Sequence, residues 1–565
     1  VPQAELRFVF ADTAAPLVRL DDADFVTIEN VDASNAQFGI LASNGSTDLA
    51  LRSIVASGNR DDGIRFESAS RAVAIENIDV SNNGGFGLYA DAGVDVVSGS
   101  EAHGNGASGF WIRGPLTRFD ENRAEGNAVD GIWLEKVGAA AIEANVAIGN
   151  GRNGVVVSNP PGTTAVVGNA DLTLERGNRA PDNKGAGIVG QESVRVEGNT
   201  VARNDVGIRT SFGTTASRNI VWGNRVGISV RRGGALTANR VYANRETGIE
   251  ANDRVPIDEN VVYSNRRGME LGFWYSGPIT HNLVYDHEGE GILVRASGDL
   301  THLGGRAADL VDIRNNTFAS NQRSAVRIEA YTKNAELANN VFWADSGAAL
   351  SVATDSQVGF ASDHNLFYVI GDGIVARWAG RDYPTFLDWR RASFQDASSL
   401  SADPLFIDAD GDDGWLGYHS PENDGQDDDF HLQSQAGSHH GGALAPVLDR
   451  TTGLPRFLSG VWTSDSQTSP GIDRGAASDS PAAEPSPNGG FVNVGAYGGT
   501  PQASHSPDAY LTVILPGVGE TWPAEQTADI IWRSHDTSGT VDIQLIREGT
   551  GLLEATIADD VPNDG

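Results

Sequence analysis

Five successive stretches decide the fold: VEGNTVARNDVGIRT (196–210), RNIVWGNRVGISV (218–230), ANRVYANRETGIE (238–250), ENVVYSNRRGMEL (259–271) and HNLVYDHEGEGILV (281–294). Each is read as an Asn, a short apolar run, a second Asn, then a glycine and another run. The marker glycines Gly207, Gly227, Gly248, Gly268 and Gly291 lie 20, 21, 20 and 23 residues apart. A fixed period near twenty is the signature of a solenoid, in which each repeat buries its apolar face only against its neighbours.

The period runs outward in both directions, through Gly39, Gly63, Gly87, Gly109, Gly131, Gly154 and Gly187, and on through Ala325, Ala348 and Gly373. The residue after the marker is apolar throughout this region: Ile40, Ile64, Leu88, Phe110, Ile132, Val155, Ile188, Ile208, Ile228, Ile249, Met269, Ile292 and Val326. Most positions two further on are apolar again, and those between are mixed. This alternation is that of a half-buried strand, and runs bounded by Gly and Asn are too short for helices. Each repeat is therefore read as three short strands and three turns, one coil of a parallel β-helix of about 15 coils. Two Asn columns, among them Asn219, Asn239 and Asn260, and Asn224, Asn244 and Asn265, fit turn positions whose amides bond from coil to coil.

With these residues in view, residues 17 to 395 resemble the right-handed parallel β-helix proteins of the pectate-lyase-like superfamily. That resemblance implies an all-β fold and a ligand lying along the outside of the glycine-marked strand. It leaves the chemistry open, because the scaffold carries lyases, hydrolases, epimerases and plain binding proteins. The Tyr-Gly-x-Asp-Pro-His motif of alginate epimerases and a complete Trp-x-Asp-His of pectate lyases are absent; SDHN at 362–365 is a partial match to the second.

Seventy-five acidic against 41 basic residues give a net charge of −34, and only Lys136, Lys184 and Lys333 are lysines. This balance excludes nucleic acid as a natural partner. With no cysteine there is no disulfide and no thiolate metal site. No run is long and apolar enough for a membrane span. An extracellular setting is expected from the architecture, and the opening VPQAELRFVF reads as the middle of a strand.

Three regions are expected. Residues 1–395 form the β-helix, closed by an aromatic-rich cap after Gly373. Residues 396–506 form an acidic C-terminal extension that docks on it, with the DPLF…DFHL…GAYGG pattern of secreted β-helix proteins. From Tyr510, residues 507–565 resemble an immunoglobulin-like module of the Ser/Thr-rich cell-wall type (GETW…I-x-W-x-S…V-x-I-x-L), a β-sandwich that stops short at Gly565. Two longer coils, with inserts at 159–183 and 296–311, flank the regular coils and are expected to wall a groove or to be neutral length variation.

Alternation turns one set of residues outward on the glycine-marked strand. Tyr89, Trp111 and Trp133 stand in a row there and are candidate sugar-stacking, substrate-binding residues. Glu250 and Glu270 occupy one column on adjacent coils, about 5 Å apart. Like charges that close raise one pKa, giving an acid and a base, at a separation suited to a retaining glycosidase. Arg209 and Arg295 are candidate contacts for an anionic sugar. Arg231 is a candidate catalytic base for a lyase, and His287, in DHEGEG, a candidate acid or base. The competing reading of the Glu and Arg residues is a salt-bridged ladder. DADGDDG (408–414) and DGQDDD (424–429) have Asp at alternate positions with Gly for the turn. They mark a structural calcium turn on Asp408, Asp410, Asp412, Asp427 and Asp429, although His419 stands where an EF-hand has Glu. The functional expectation is a protein that binds and cleaves an acidic polysaccharide, as lyase or hydrolase; the alternative is a non-catalytic adhesin that holds glycan or a neighbour.

Overall fold

The computed structural model describes residues 6–7, 14–169, 171–272, 274–295, 309–516, 522, 527, 529–547 and 550–563. Three parallel ladders run its length and make a β-solenoid of about 15 turns. The glycine-marked ladder begins at Val18–Asp21 and ends at Ile374–Trp378. The second passes from Thr27–Asp32 to Ala361–Asp363. The third begins at Leu6–Arg7, passes through the ends of the Thr27–Asp32 and Leu49–Ser57 strands, and finishes at Leu400–Ser401. Register on the glycine-marked face pairs Ile249 with Met269 and Glu250 with Glu270.

The residue after the marker is interior as expected through Val326, with Ile40, Ile132, Ile249 and Met269 all 0% exposed; beyond it the register shifts, so that Ala349 rather than Ala348 aligns with Ala325. Each such side chain contributes roughly 1.5–3 kcal/mol by leaving water. The marker itself is glycine for lack of room. A Cβ on Gly248 would lie 2.7 Å from the carbonyl of Gly268 and 2.9 Å from both the Asn265 amide and Val262.

The Asn columns form two interior stacks. In each, a side-chain carbonyl accepts both the backbone N–H and the amide of the preceding Asn, as Asn239 does from Asn219 at 3.1 and 2.9 Å. Asn83, Asn178, Asn183 and Asn316 belong to these stacks as well. Most of the buried amides of the turns are thereby paired along the axis, which fixes register.

The cap is helix Phe386–Ser393, started by the Thr385 side chain accepting from Asp388 N–H. Trp389, fully buried, seats it on the last coil and donates to Asp396 at 2.7 Å. The extension docks on the third ladder. There Trp222, Tyr242, Tyr263 and Tyr285 stack ring on ring, at 6.2, 5.0 and 5.0 Å. Phe430, Leu444, Ala445 and Tyr497 cover them. Arg240, 3% exposed, reaches across and donates to the carbonyls of Pro446 (2.8 Å), Ala445 (3.4 Å) and Gly425 (3.5 Å).

Two expectations need correction. The lengthened coil at 159–183 does not wall the glycine-marked face. Its strand Ala165–Gly168 keeps the second ladder, and the extra residues follow it, at the corner leading to the third. There Gly177 faces Leu454, and Arg179 donates to the Thr452 carbonyl at 3.1 Å. A marker-to-marker interval counts residues anywhere in a coil, so it does not say which corner carries them. The other insert, 296–311, falls almost wholly outside the described residues. Beyond residue 509, Tyr510–Leu515 pairs with Ile531–His535 and Thr540–Arg547 with Leu552–Pro562, as two separate antiparallel hairpins. Among the described residues these do not close into a sandwich, and of GETW only Trp522 lies within them.

Candidate functional site

The outer surface of the glycine-marked ladder changes character along its length. Toward the N-terminal end it is aromatic. Trp111 and Trp133 stack at 5.0 Å and 17°, and Tyr89 meets Trp111 edge-on at 4.7 Å. Phe86 packs against both Tyr89 and Trp111. The Arg65 guanidinium lies 4.3 Å from the Tyr89 ring centre and Arg152 lies 5.5 Å from that of Trp133, closing both ends. The row points outward and is half-buried, so Tyr89, Trp111 and Trp133, the expected sugar-stacking residues, stand together with part of their ring surface packed against one another. Val156 and Val189 continue the row as an apolar patch with Ala186, Val206 and Val226.

Further along, the surface becomes charged. Glu270 accepts from Arg267 on its own strand and from Arg295 on the next coil (Nε, 2.9 Å). Arg267 also reaches Glu290 at 3.2 Å, and Arg327 lies 3.6 Å from the same carboxylate. Arg267 and Glu290 were not singled out from the sequence. They occupy the residue before the marker, which strict alternation would turn inward with Met269 and Ile292, so the pattern gave no signal for them.

Glu250, next to Glu270 in register, is placed differently. It is half-buried and, among the described residues, has no guanidinium at ion-pair distance. Burial raises its carboxyl pKa above the ordinary value and the Glu270 charge raises it further; Arg225, Arg231 and a bond from Ser229 offset part of this. Two identical side chains on one column thus sit in opposed environments, one clasped by two cations and one inclined to keep its proton. Arg225 is itself occupied by Asp205 (2.7 Å) and Glu246 (2.6 Å). Arg209 and Arg231 are exposed on the same face and form no ion pair among the described residues, which leaves their guanidinium groups open to an anionic ligand.

His287 is not part of this surface. It is 0% exposed and occupies an Asn place in the second interior stack, where its Nδ1 accepts from Asn265 N–H at 3.0 Å. Burial drives its pKa down to about 3. A neutral ring facing Gly268 inside the solenoid reaches no substrate, so the acid–base role expected for it is withdrawn.

The aspartates of the expected calcium turn diverge. Asp429 is buried, with one oxygen accepting from His431 N–H and Nδ1 (3.0 and 2.6 Å) and the other from Gly441 N–H (2.8 Å). Asp427 accepts from Asp413 N–H at 3.3 Å. Asp408 has a raised pKa, from burial first and from Asp410 and Asp412 next. Among the described residues no group of three or more His, Asp or Glu converges as metal ligands do.

Residues 16–171, 62–219 and 206–368 each match the model of the right handed beta helix region, and together they span the chain from 16 to 368. A segment of 172 residues is 26% identical to the uncharacterized protein YwoF of Bacillus subtilis (strain 168). It covers 28% of this chain and 36% of that protein, so the chain spans about a third of that relative's length. Among solved structures the chain is similar to a PL6 alginate lyase in complex with a trisaccharide (10% identity, 64% of this chain and 85% of that one, TM-score 0.30). It is also similar to pectate lyase Pel9A (13%, 53% and 71%, 0.28) and to the A-module of the Azotobacter vinelandii mannuronan C-5 epimerase AlgE4 (13%, 66% and 84%, 0.27). No helix among the described residues is long and apolar enough to cross a membrane.

Proposed function

The chain belongs to the right-handed β-helix family, and on that footing we propose that it is an extracellular carbohydrate-active protein that binds and cleaves an acidic polysaccharide along the outer glycine-marked face. The observation that carries the proposal is the pair Glu250 and Glu270, adjacent in register and opposed in environment. Adjacent strands put their stems about 4.8 Å apart. In a hydrolase, Glu250 holds the proton for the leaving oxygen and Glu270, held by Arg267 and Arg295, stabilises or attacks the anomeric carbon. In a lyase, the same surface neutralises a uronate carboxylate with Arg209 and Arg295, and Arg231, once it has lost its own proton to solvent, takes the proton next to it. Glu250 then protonates the departing oxygen.

The test is incubation with a panel of uronate-containing polysaccharides. Ultraviolet absorbance from an unsaturated product supports elimination, and new reducing ends without it support hydrolysis. Neither product across the panel removes the catalytic reading.

One observation favours the second reading, a binding protein without chemistry. The Arg295–Glu270–Arg267–Glu290–Arg327 chain of ion pairs extends over several coils, as a structural ladder would. Retention of a glycan without any product supports it. No step above uses calcium. A structural ion near Asp408, Asp410 and Asp412 rests on sequence spacing alone; a rise in thermal midpoint on adding calcium, reversed by chelator, supports it, and no change removes it.

A further inference from the structure

The turns that leave the glycine-marked strands of these same coils carry three exposed aromatic side chains that the proposed chemistry does not use. Phe212 follows strand Val206–Ser211 and is 51% exposed. Trp274 follows Arg267–Leu271 and is 40% exposed; Tyr331 follows Ser324–Ile328 and is 56% exposed. All three have left-handed backbone angles, φ 55°, 60° and 63°. Glycine or asparagine takes that conformation at least cost, and a bulky ring there is disfavoured. Elsewhere in these turns small or polar residues take such angles, as Gly93, Gly114, Lys136, Arg232 and Asp253 show, with Phe25 a bulky exception at the far end of the ladder. Residues held in costly backbone regions gather at ligand clamps.

The placement is selective. Trp274 leaves the coil of Glu270, Phe212 stands two coils before Glu250, and Tyr331 stands two coils beyond Trp274. At about 4.8 Å per coil, the three cover a span of roughly 24 Å centred near the acid pair. Arginines share the rim: Arg232 lies 5.1 Å from the Phe212 ring centre, and Arg295 leaves the coil between Trp274 and Tyr331. The stack of Tyr89, Trp111 and Trp133 lies outside this span.

We propose that Phe212, Trp274 and Tyr331 form an aromatic rim that holds a linear acidic polysaccharide on both sides of Glu250 and Glu270. The rings take the C–H faces of pyranose units while Arg209, Arg231 and Arg295 take their carboxylates. This inference rests on the proposed location of the site, but not on any catalysis there.

The test is affinity gel electrophoresis of the full chain in gels containing polygalacturonate or alginate, with neutral xylan as the uncharged probe. The expected result is retardation by at least one of the acidic polymers and not by xylan. Phe212→Ala and Trp274→Ala should each weaken it several-fold, and the two together about tenfold or more. Phe25→Ala should leave it unchanged, since Phe25 is 83% exposed in the corresponding turn at the far end of the ladder. Circular dichroism of each variant establishes that it is folded. Retardation that survives the double substitution, or that falls equally in Phe25→Ala, overturns the rim, as does the absence of retardation by either acidic polymer. Retardation that depends on the rim but yields no cleavage products keeps this inference and removes the catalytic one. Cleavage that persists unchanged in the double variant does the reverse.

Discussion

Replacing His287 with asparagine should make the solenoid more stable and leave its surface chemistry intact. Along most of the second interior stack, each amide oxygen accepts two hydrogens from the coil before it. Asn265 does so from Asn244 N and Nδ2, both at 2.9 Å. At His287 the pattern breaks. Asn265 N–H still finds Nδ1 at 3.0 Å, but the imidazole Nε2 and the Oδ1 of Asn321 are both buried without a partner. An asparagine there would accept from the backbone and the amide of Asn265 and donate its own amide toward Asn321. A buried polar atom left unsatisfied costs about 1–3 kcal/mol, and two such atoms are relieved. Against this stands the lost volume of the ring, which leaves a small gap beside Gly268 and returns part of the gain. The expected net change is a gain of about 1–3 kcal/mol. Equilibrium unfolding in guanidinium chloride reads it as a higher midpoint at unchanged slope. His287→Ala, which removes the Nδ1 acceptor and adds a cavity, should lower the midpoint. A lower midpoint for His287→Asn would refute the ladder role. Loss of glycan cleavage by folded His287→Asn would restore the ring to the active site.

Three further outcomes are expected. Arg240→Ala strips a donor from the carbonyls of Gly425, Ala445 and Pro446 at a dry interface, so limited proteolysis should cut within 396–506 faster while the solenoid resists; unchanged cleavage would mean that the aromatic stack alone holds the extension. Burial pushes Asp428 up to about 7 and Asp286 up to about 6. A folded pKa above the unfolded value stabilises at low pH and loses that contribution as pH rises from about 4 to 7. Asp428→Asn should therefore match wild type in thermal midpoint near pH 4 and exceed it near pH 8; equal midpoints at both would contradict the burial of that carboxyl. Because Glu250 must be protonated to act as an acid and its pKa is raised, cleavage should decline as pH rises through that pKa, and the limb should vanish in Glu250→Gln.

The coil pattern was readable because burial repeats: a side chain such as Ile249 or Met269 must be apolar wherever its coil is stacked, and a marker such as Gly248 must be glycine wherever an amide sits against it. The same repetition contained two signals that pass unnoticed when only glycines are followed. Trp222, Tyr242, Tyr263 and Tyr285 recur at one place in successive coils, marking the face covered by the extension. His287 falls 22 residues after Asn265, in an Asn column. Other facts have no local signature. Outward alternation places Trp111 and Trp133 on the surface but does not orient their rings, and Asp spacing does not show that Asp429 turns toward His431. Which corner receives an insert, and which face a distant segment covers, depend on contacts between residues two hundred positions apart, as Arg240 and Pro446 are.

The most direct test is the cleavage assay on one uronate polysaccharide with wild type, Glu250→Gln and Glu270→Gln side by side, each checked for its fold by circular dichroism. The expected result is product from wild type and a loss of at least a hundredfold in both variants, in the range of general acid–base contributions. Product formation at the wild-type rate by either folded variant would contradict a reaction centred on this pair.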